Sequence, residues 1–142
     1  MKKLMLIIAI AGTLTQANAQ KMSDKDVPPA VTGAFSKTHA STDGVEWRRD
    51  GTNYVAEHKM DKLNWMHTYD SAGMLVESRG DIAVNTLPPL ALDYVNSHCT
   101  AEDVKEASRI TDAYGEVSYE ARVKGKHLIF DSNGNLIRTV EH

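Results

Sequence analysis

YEARVKGKHLIFDSNGNLIRTV, from Tyr119 to Val140, reads as three short strands joined by two tight turns. The turns are expected at Gly125-Lys126 and at Asp131-Ser132-Asn133-Gly134, where glycine meets short polar residues. An earlier stretch, YVAEHKMDKLNWMHTYDSAGMLV from Tyr54 to Val76, follows the same plan in different letters. Each runs an aromatic-led strand, a turn and a second strand. Each then reaches an aromatic-Asp-Ser-x-Gly turn, Tyr69-Asp70-Ser71-Ala72-Gly73 in one and Phe130-Asp131-Ser132-Asn133-Gly134 in the other. Both are led by a proline pair, Val27-Pro28-Pro29 and Leu87-Pro88-Pro89, 60 residues apart, and the turns are 61 residues apart. Self-similarity at one period, marked at both ends, predicts two tandem units before any propensity is weighed. The fold class is α+β, with two helix-plus-antiparallel-sheet repeats over about 27–84 and 87–142.

The patterning inside each unit fills in the elements. Pro28-Pro29 suit a first helical turn, and Val31, Ala34, Phe35 and Thr38 recur at helical spacing toward His39. The second leader does the same with Leu90 or Ala91, Tyr94, Val95 and His98. Asp50-Gly51 is a two-residue hairpin signal that pairs Trp47 with Tyr54 and Val45 with Ala56. A turn at Asp61-Lys62 pairs His58 with Trp65, Ala56 with His67 and Tyr54 with Tyr69. One face then collects Val45, Trp47, Tyr54, Ala56, His58, Met60, Leu63, Trp65, His67 and Tyr69, and belongs under a helix. The opposite face collects Glu46, Arg48, Val55, Glu57, Lys59, Asn64, Met66 and Thr68. In the second unit Tyr119, Ala121 and Val123 face Leu128 and Phe130, while Glu120, Arg122 and Lys124 lie with His127, Ile129 and Asp131. Asp112-Ala113-Tyr114-Gly115 turns its first hairpin. Residues Lys21 to Asp26 read as a polar lead-in, and Met74-Leu75-Val76 and Leu136-Ile137 are apolar on both sides and take no orientation.

The amino terminus carries Lys2-Lys3, an apolar run from Leu4 to Ala11 and the ending Ala17-Asn18-Ala19. That order is a secretory signal peptide over 1–19, cleaved after Ala19, with an apolar core too short to span a bilayer. The protein is expected in the periplasm or secreted, with no stable membrane insertion. Removing Lys2 and Lys3 takes 16 basic residues to 14 against 19 acidic, a net of about −5. Without a basic cluster the chain is unsuited to nucleic acid, whose binding rests on neutralising phosphates. Residues 20–142 make one domain with room for a real core. The single cysteine, Cys99, excludes an intramolecular disulfide.

The Pro-Pro leaders, Val45-x-Trp47, Tyr54-x-Ala56, Tyr119-x-Ala121-x-Val123 and above all Phe130-Asp-Ser-Asn-Gly-Asn-Leu136 resemble the PepSY-like, or beta-lactamase-inhibitor-like, family of small exported bacterial proteins. The resemblance implies a curved antiparallel sheet with helices on one face, and it implies no enzyme. The inhibitor in the family's label describes a shared fold, which does not carry function. Two positions depart from the pattern. His58 stands where a large apolar residue is expected, and Ala107 stands where the first unit has Trp47.

Chemistry is sparse. His58 and His67 share a face two positions apart, but that face offers no Cys or carboxylate as a third ligand, so no metal is expected there. They read as rings at the rim of the core. His39 and His98 end their helices, where a cationic ring suits the dipole. Cys99 reads as an inert, partly buried thiol, since the neighbouring His98 points about 100° away on a helix. Asp131-Ser-Asn133-Gly-Asn135 has the look of a calcium loop but lacks the distal glutamate, and reads as a plain turn. No G-x-S-x-G elbow or phosphate loop is present. The expectation is an exported, non-enzymatic binding or inhibitor-like module without cofactor, acting on another envelope or extracellular protein. Its contact residues are expected on the open face: Arg48, Val55, Glu57, Lys59, Met66, Glu120, Arg122 and Ile129. The alternative is a metal-dependent or other envelope enzyme using the His58/His67 region.

Overall fold

The computed structural model describes residues 20–141, so the signal peptide expected over 1–19 lies outside the described residues. Nine antiparallel strands form one sheet, and the strands lie side by side in chain order. They are β1 (Gln20–Met22), β2 (Glu46–Asp50), β3 (Asn53–Met60), β4 (Leu63–Tyr69), β5 (Leu75–Ile82), β6 (Val104–Asp112), β7 (Val117–Val123), β8 (Lys126–Asp131) and β9 (Leu136–Glu141). Two ten-residue helices interrupt the sequence of strands, α1 (Pro29–Thr38) and α2 (Pro89–His98). Each follows a single 3-10 turn, Asp24–Asp26 before α1 and Val84–Thr86 before α2. The expected lead-in therefore contains a strand: β1 pairs with β2, placing Met22 opposite Trp47.

Both helices begin with a proline whose missing N–H falls where no intrahelical acceptor exists. Each buries one stripe against the same side of the sheet. Val31 and Phe35 of α1, with Val27, meet Trp47, Ala56 and Tyr69. Ala91 and Val95 of α2, with Leu87, meet Ala107, Ala121, Val123, Leu128 and Phe130. Alanines at 56, 107 and 121 are fully or almost fully buried, letting a helix approach the sheet closely. Leu90 points outward and is 53% exposed, so Ala91 is the second helix's inward residue.

The β3–β4 register follows the expected turn at Asp61-Lys62, and the Asp131–Gly134 turn stands where expected, between β8 and β9. Ala56 pairs with His67, His58 with Trp65, Ala121 with Leu128 and Tyr119 with Phe130. Two turns move. Asp50 stays in its strand opposite Asn53, so the corner is Gly51-Thr52 and Trp47 pairs with Ala56. Gly51 takes the first corner at φ 58°, a conformation glycine adopts without steric cost. Likewise Val123 pairs with Lys126, making Lys124-Gly125 the corner, with Gly125 at φ 77°. The β2 register slides by two positions, so every side chain keeps its expected face.

The aromatic-Asp-Ser-x-Gly turns have a built interior. Asp70 Oδ1 accepts from the N–H groups of Ala72 and Met74, and Asp131 Oδ1 from those of Asn133 and Asn135. Asp112 does the same with Tyr114 and Glu116, a third copy of the device. The Asp131 carboxylate is thus occupied by backbone donors, Asn135 first, which hold it below the usual carboxylate range.

Candidate functional site

The strand pairing carries one face of the sheet across all nine strands. Arg48, Val55, Glu57, Lys59, Met66, Glu120, Arg122 and Ile129 all fall on the side away from the helices. The last strand does not fold back over that side. β9 pairs with β8 as the ninth strand of the same sheet, so among the described residues nothing of this chain covers it.

Two of the eight expected contact residues are buried all the same. Val55 is 9% exposed and Glu120 only 7%. Glu120 turns inward to an ion-pair network that the sequence did not reveal. Its Oε2 accepts from Arg79 Nη1 at 2.7 Å, and its Oε1 lies 2.5 Å from His127 Nδ1. Burial alone would push Glu120 up, yet Arg79 and His127 together hold it below its ordinary value. Burial alone would lower Arg79, and Glu120 with Glu77 more than reverses that. Arg79 sits in β5, midway between the two helix-bearing halves, opposite Met66 on one side and Ile110 on the other. Around this centre, Arg48 Nε lies 3.2 Å from Glu57 Oε2, and Arg122 Nη1 lies 3.0 Å from Glu106 Oε2. The Arg48 Nε is buried and without an aligned acceptor, an unmet donor on this face.

On the helix side a second constellation appears. His39 caps the C-terminus of α1, and its ring reaches the sheet between β3 and β4. Its Nε2 lies 3.2 Å from His67 Nε2, and His58 Nε2 lies 2.9 Å from the same atom. The third ligand-type side chain missing from the strands is therefore supplied by the helix. His39 lies four residues beyond Phe35, so both project from one side of α1 and stack at 4.0 Å with an interplanar angle of 7°. Phe35 also meets His58 edge-on at 5.6 Å, and Trp65 stacks beyond His67 at 6.1 Å. Trp65 itself lies flat over Gly80, where a methyl group would come within 2.6 Å of the ring. His58, the departure from the apolar pattern, is one wall of this cluster.

Burial pushes His67 down to about 4, with His39 and His58 adding to the fall, and burial followed by His39 lowers His58. The sign of the consequence is fixed by linkage. In the unfolded chain His67 takes a proton near its ordinary 6.5, whereas in the folded chain it resists until about 4. Stability is full above pH 6.5 and falls as pH drops from there toward 4. Allowing for solvent that reaches the cluster, the loss is on the order of 2 kcal/mol. Glu120 adds a loss of the same sign at lower pH, where its depressed carboxyl is protonated. Urea unfolding in chelator-treated buffer at pH 7.5 and pH 5 checks this. His67→Gln is expected to flatten the limb between them.

Cys99 is partly buried as the C-cap of α2, packed against the second core cluster, and its N–H bonds to the Val95 carbonyl. Among the described residues no helix is long and apolar enough to cross a membrane.

No protein-family model matches the chain, and no curated protein matches it significantly. Solved structures do match. A Bacteroides eggerthii protein, named for a presumed periplasmic location, superposes with a TM-score of 0.74 at 15% identity over 81% of this chain and 88% of its own. A DUF2874 family protein from Bacteroides uniformis gives 0.71 at 20% identity, over 80% and 88%. A BLIP-like protein from Bacteroides fragilis gives 0.66 at 19% identity, over 79% and 84%. At these identities the likeness is one of fold: the chain has the α+β architecture of BLIP-like and DUF2874 proteins.

Proposed function

We propose that the protein is an exported, non-enzymatic binding module of the cell envelope whose uncovered sheet face takes another protein. In this reading a signal peptide ends at Ala19, and two tandem PepSY-like repeats make the single mature domain, periplasmic or secreted. The observation that carries it is the uncovered face itself. Both helices pack on one side and every strand, the last included, stays in the sheet, which leaves the other side for a partner. The presumed location of the Bacteroides eggerthii protein and the BLIP-like neighbour support the same reading.

Charge selects the partner's chemistry. At the β3–β4 end of the face a groove of about 740 Å³ is lined by five carboxylates against Lys59 and Arg79. Met66 lies among them, 36% exposed. This fits a protein loop that brings lysine or arginine around an apolar side chain, the charges steering encounter and the apolar contact giving a desolvated centre. Glu57 pairs with Arg48 and Glu106 with Arg122, and both carboxylates also line the groove.

Cross-linked capture from host envelope extract tests it with three proteins: wild type, Glu57→Lys/Glu106→Lys on the sheet face, and Lys37→Glu on α1. The expected result is one partner bound by wild type and Lys37→Glu, weakened by salt, and lost by the folded double variant. A partner kept by the double variant, or capture of nothing beyond the protein itself, defeats the reading.

A further inference from the structure

We propose that His39, His58 and His67 form a binding site for one divalent transition-metal ion of the zinc class. The site lies on the helix side of the sheet, and one of its ligands, His58, also lines the groove at the edge of the binding face proposed above.

The geometry is that of ligands awaiting a metal. One ligand nitrogen from each of the three rings falls within 4.8 Å of the others. Two of the separations, 2.9 and 3.2 Å, are close to the distance of about 3.3 Å between neighbouring nitrogens that each sit 2.0–2.1 Å from a tetrahedral zinc. Small ring rotations bring all three into place. Imidazole is a ligand of choice for zinc, copper and nickel, and it does not suit magnesium or calcium, which take oxygen.

The outer nitrogens are arranged to hold the inner ones. His39 Nδ1 lies 3.0 Å from the Phe35 carbonyl oxygen, which can only accept, so the proton belongs on Nδ1 and the Nε2 lone pair faces the cluster. His67 Nδ1 is hydrogen-bonded to Ser78 Oγ, which can accept its proton in the same way. Where Ser78 and the Phe35 carbonyl both accept, the unprotonated Nε2 atoms of His39 and His67 stand 3.2 Å apart, with His58 Nε2 2.9 Å from the latter. In that arrangement a cation between the nitrogens is ligated by lone pairs that otherwise face one another. Fixing a ligating histidine through its second nitrogen to a backbone carbonyl or a side-chain oxygen is the usual support of a metal centre. Phe35 and Trp65 restrict the rings from two sides.

Three elements contribute: the end of α1, β3 and β4. An ion held there clips the helix to the sheet at its carboxyl end, beside the Thr38–Tyr69 hydrogen bond and the packing of Phe35. Three nitrogens leave a fourth position for water or an added ligand. His58 lines the groove described above, which gives that position a route to solvent.

Chelator-treated, untagged protein titrated with zinc chloride in a calorimeter is the direct test, followed by cobalt chloride in a spectrophotometer. The expected result is one zinc per chain at micromolar or tighter affinity, and a visible cobalt spectrum of tetrahedral intensity. Thermal unfolding is expected to move upward with zinc concentration, since only the folded chain assembles the site. His39→Gln, His58→Gln and His67→Gln are each expected to weaken binding about a hundredfold. His98→Gln and His127→Gln are expected to leave it unchanged. His39 and His58 are more exposed than His67, so their variants decide the matter if His67→Gln fails to fold. Absence of zinc binding by folded wild type overturns the proposal. So does binding that survives both the His39 and His58 substitutions, which would put the ion elsewhere on the chain.

Discussion

Arg79→Met is expected to destabilise the protein by about 3 kcal/mol, because it leaves the Glu120 carboxylate buried with only His127 beside it. Glu120 is almost fully enclosed, and removing one partner of a buried pair strands the other charge. The double variant Arg79→Met/Glu120→Leu is expected to recover most of that loss, since an apolar pair of similar volume needs no compensation. Urea unfolding of the two variants separates the effects. The deficit of the single variant is expected to shrink at acid pH, where an unpaired Glu120 becomes protonated. Equal losses in single and double variants would assign the cost to the packing of the Arg79 stem instead.

Gly73→Ala and Gly134→Ala are expected to cost about 3 kcal/mol each, in two parts that can be measured separately. Both glycines have positive φ, 84° and 93°, which any L side chain adopts at a cost of order 1 kcal/mol. Both also press on the first turn of a helix. A methyl group at Gly134 would lie 2.8 Å from Ala91 N, and one at Gly73 would run into the Ala30 carbonyl. Backbone cannot yield as the tip of a side chain does, so the helix must lift. Gly115 supplies the control. It has φ 83° in the third aspartate turn but nothing within 4 Å of where a methyl would go. Gly115→Ala is expected to show the conformational part alone, about 1 kcal/mol. A Gly73→Ala loss no greater than that of Gly115→Ala would mean that turn and helix are not in tight contact.

These glycines explain why the turn motif was the most informative part of the sequence. The Asp must gather two N–H groups, the Gly must take a left-handed corner, and the same Gly must let a helix land on it. Three demands on a few residues leave a visible signature. The β3–β4 register was legible because its corner at Asp61-Lys62 was placed correctly, and a period of two with one buried face fixed which side chains turn inward. The two misplaced corners, Asp50-Gly51 and Gly125-Lys126, changed no face because each slip preserved that period.

What escaped the sequence lacked such a signature. β5 is Leu75-Val-Glu-Ser-Arg-Gly-Asp-Ile82, which is polar on both faces, so neither its extent nor Arg79 was apparent. Gly80 leaves room for the Trp65 ring from the neighbouring strand, a demand that shows only once the two strands are paired. β1 is three residues long, and of its side chains only Met22 packs on the core cluster, too little for a pattern. His39 read as a helix-end residue suited to the dipole, and that reading used only its own element. A cluster assembled from a helix and two strands is not written in any one of them. The clue in the chain was His58, which broke an otherwise apolar pattern at the one place where the helix end arrives.

The strand order has a mechanical consequence. With β1 and β9 on opposite edges of a nine-stranded sheet, the two ends of the described chain are separated by the whole ladder, eight strand spacings of about 4.8 Å followed along it. A pull on those ends acts across the strands, so backbone hydrogen bonds are loaded one pair at a time from the rim inward. Such a sheet unzips under low tension, hairpin by hairpin, where a sheet pulled along its strands would resist with many bonds at once. A protein threaded through a protease or a translocating pore from either end would yield its outer strands first.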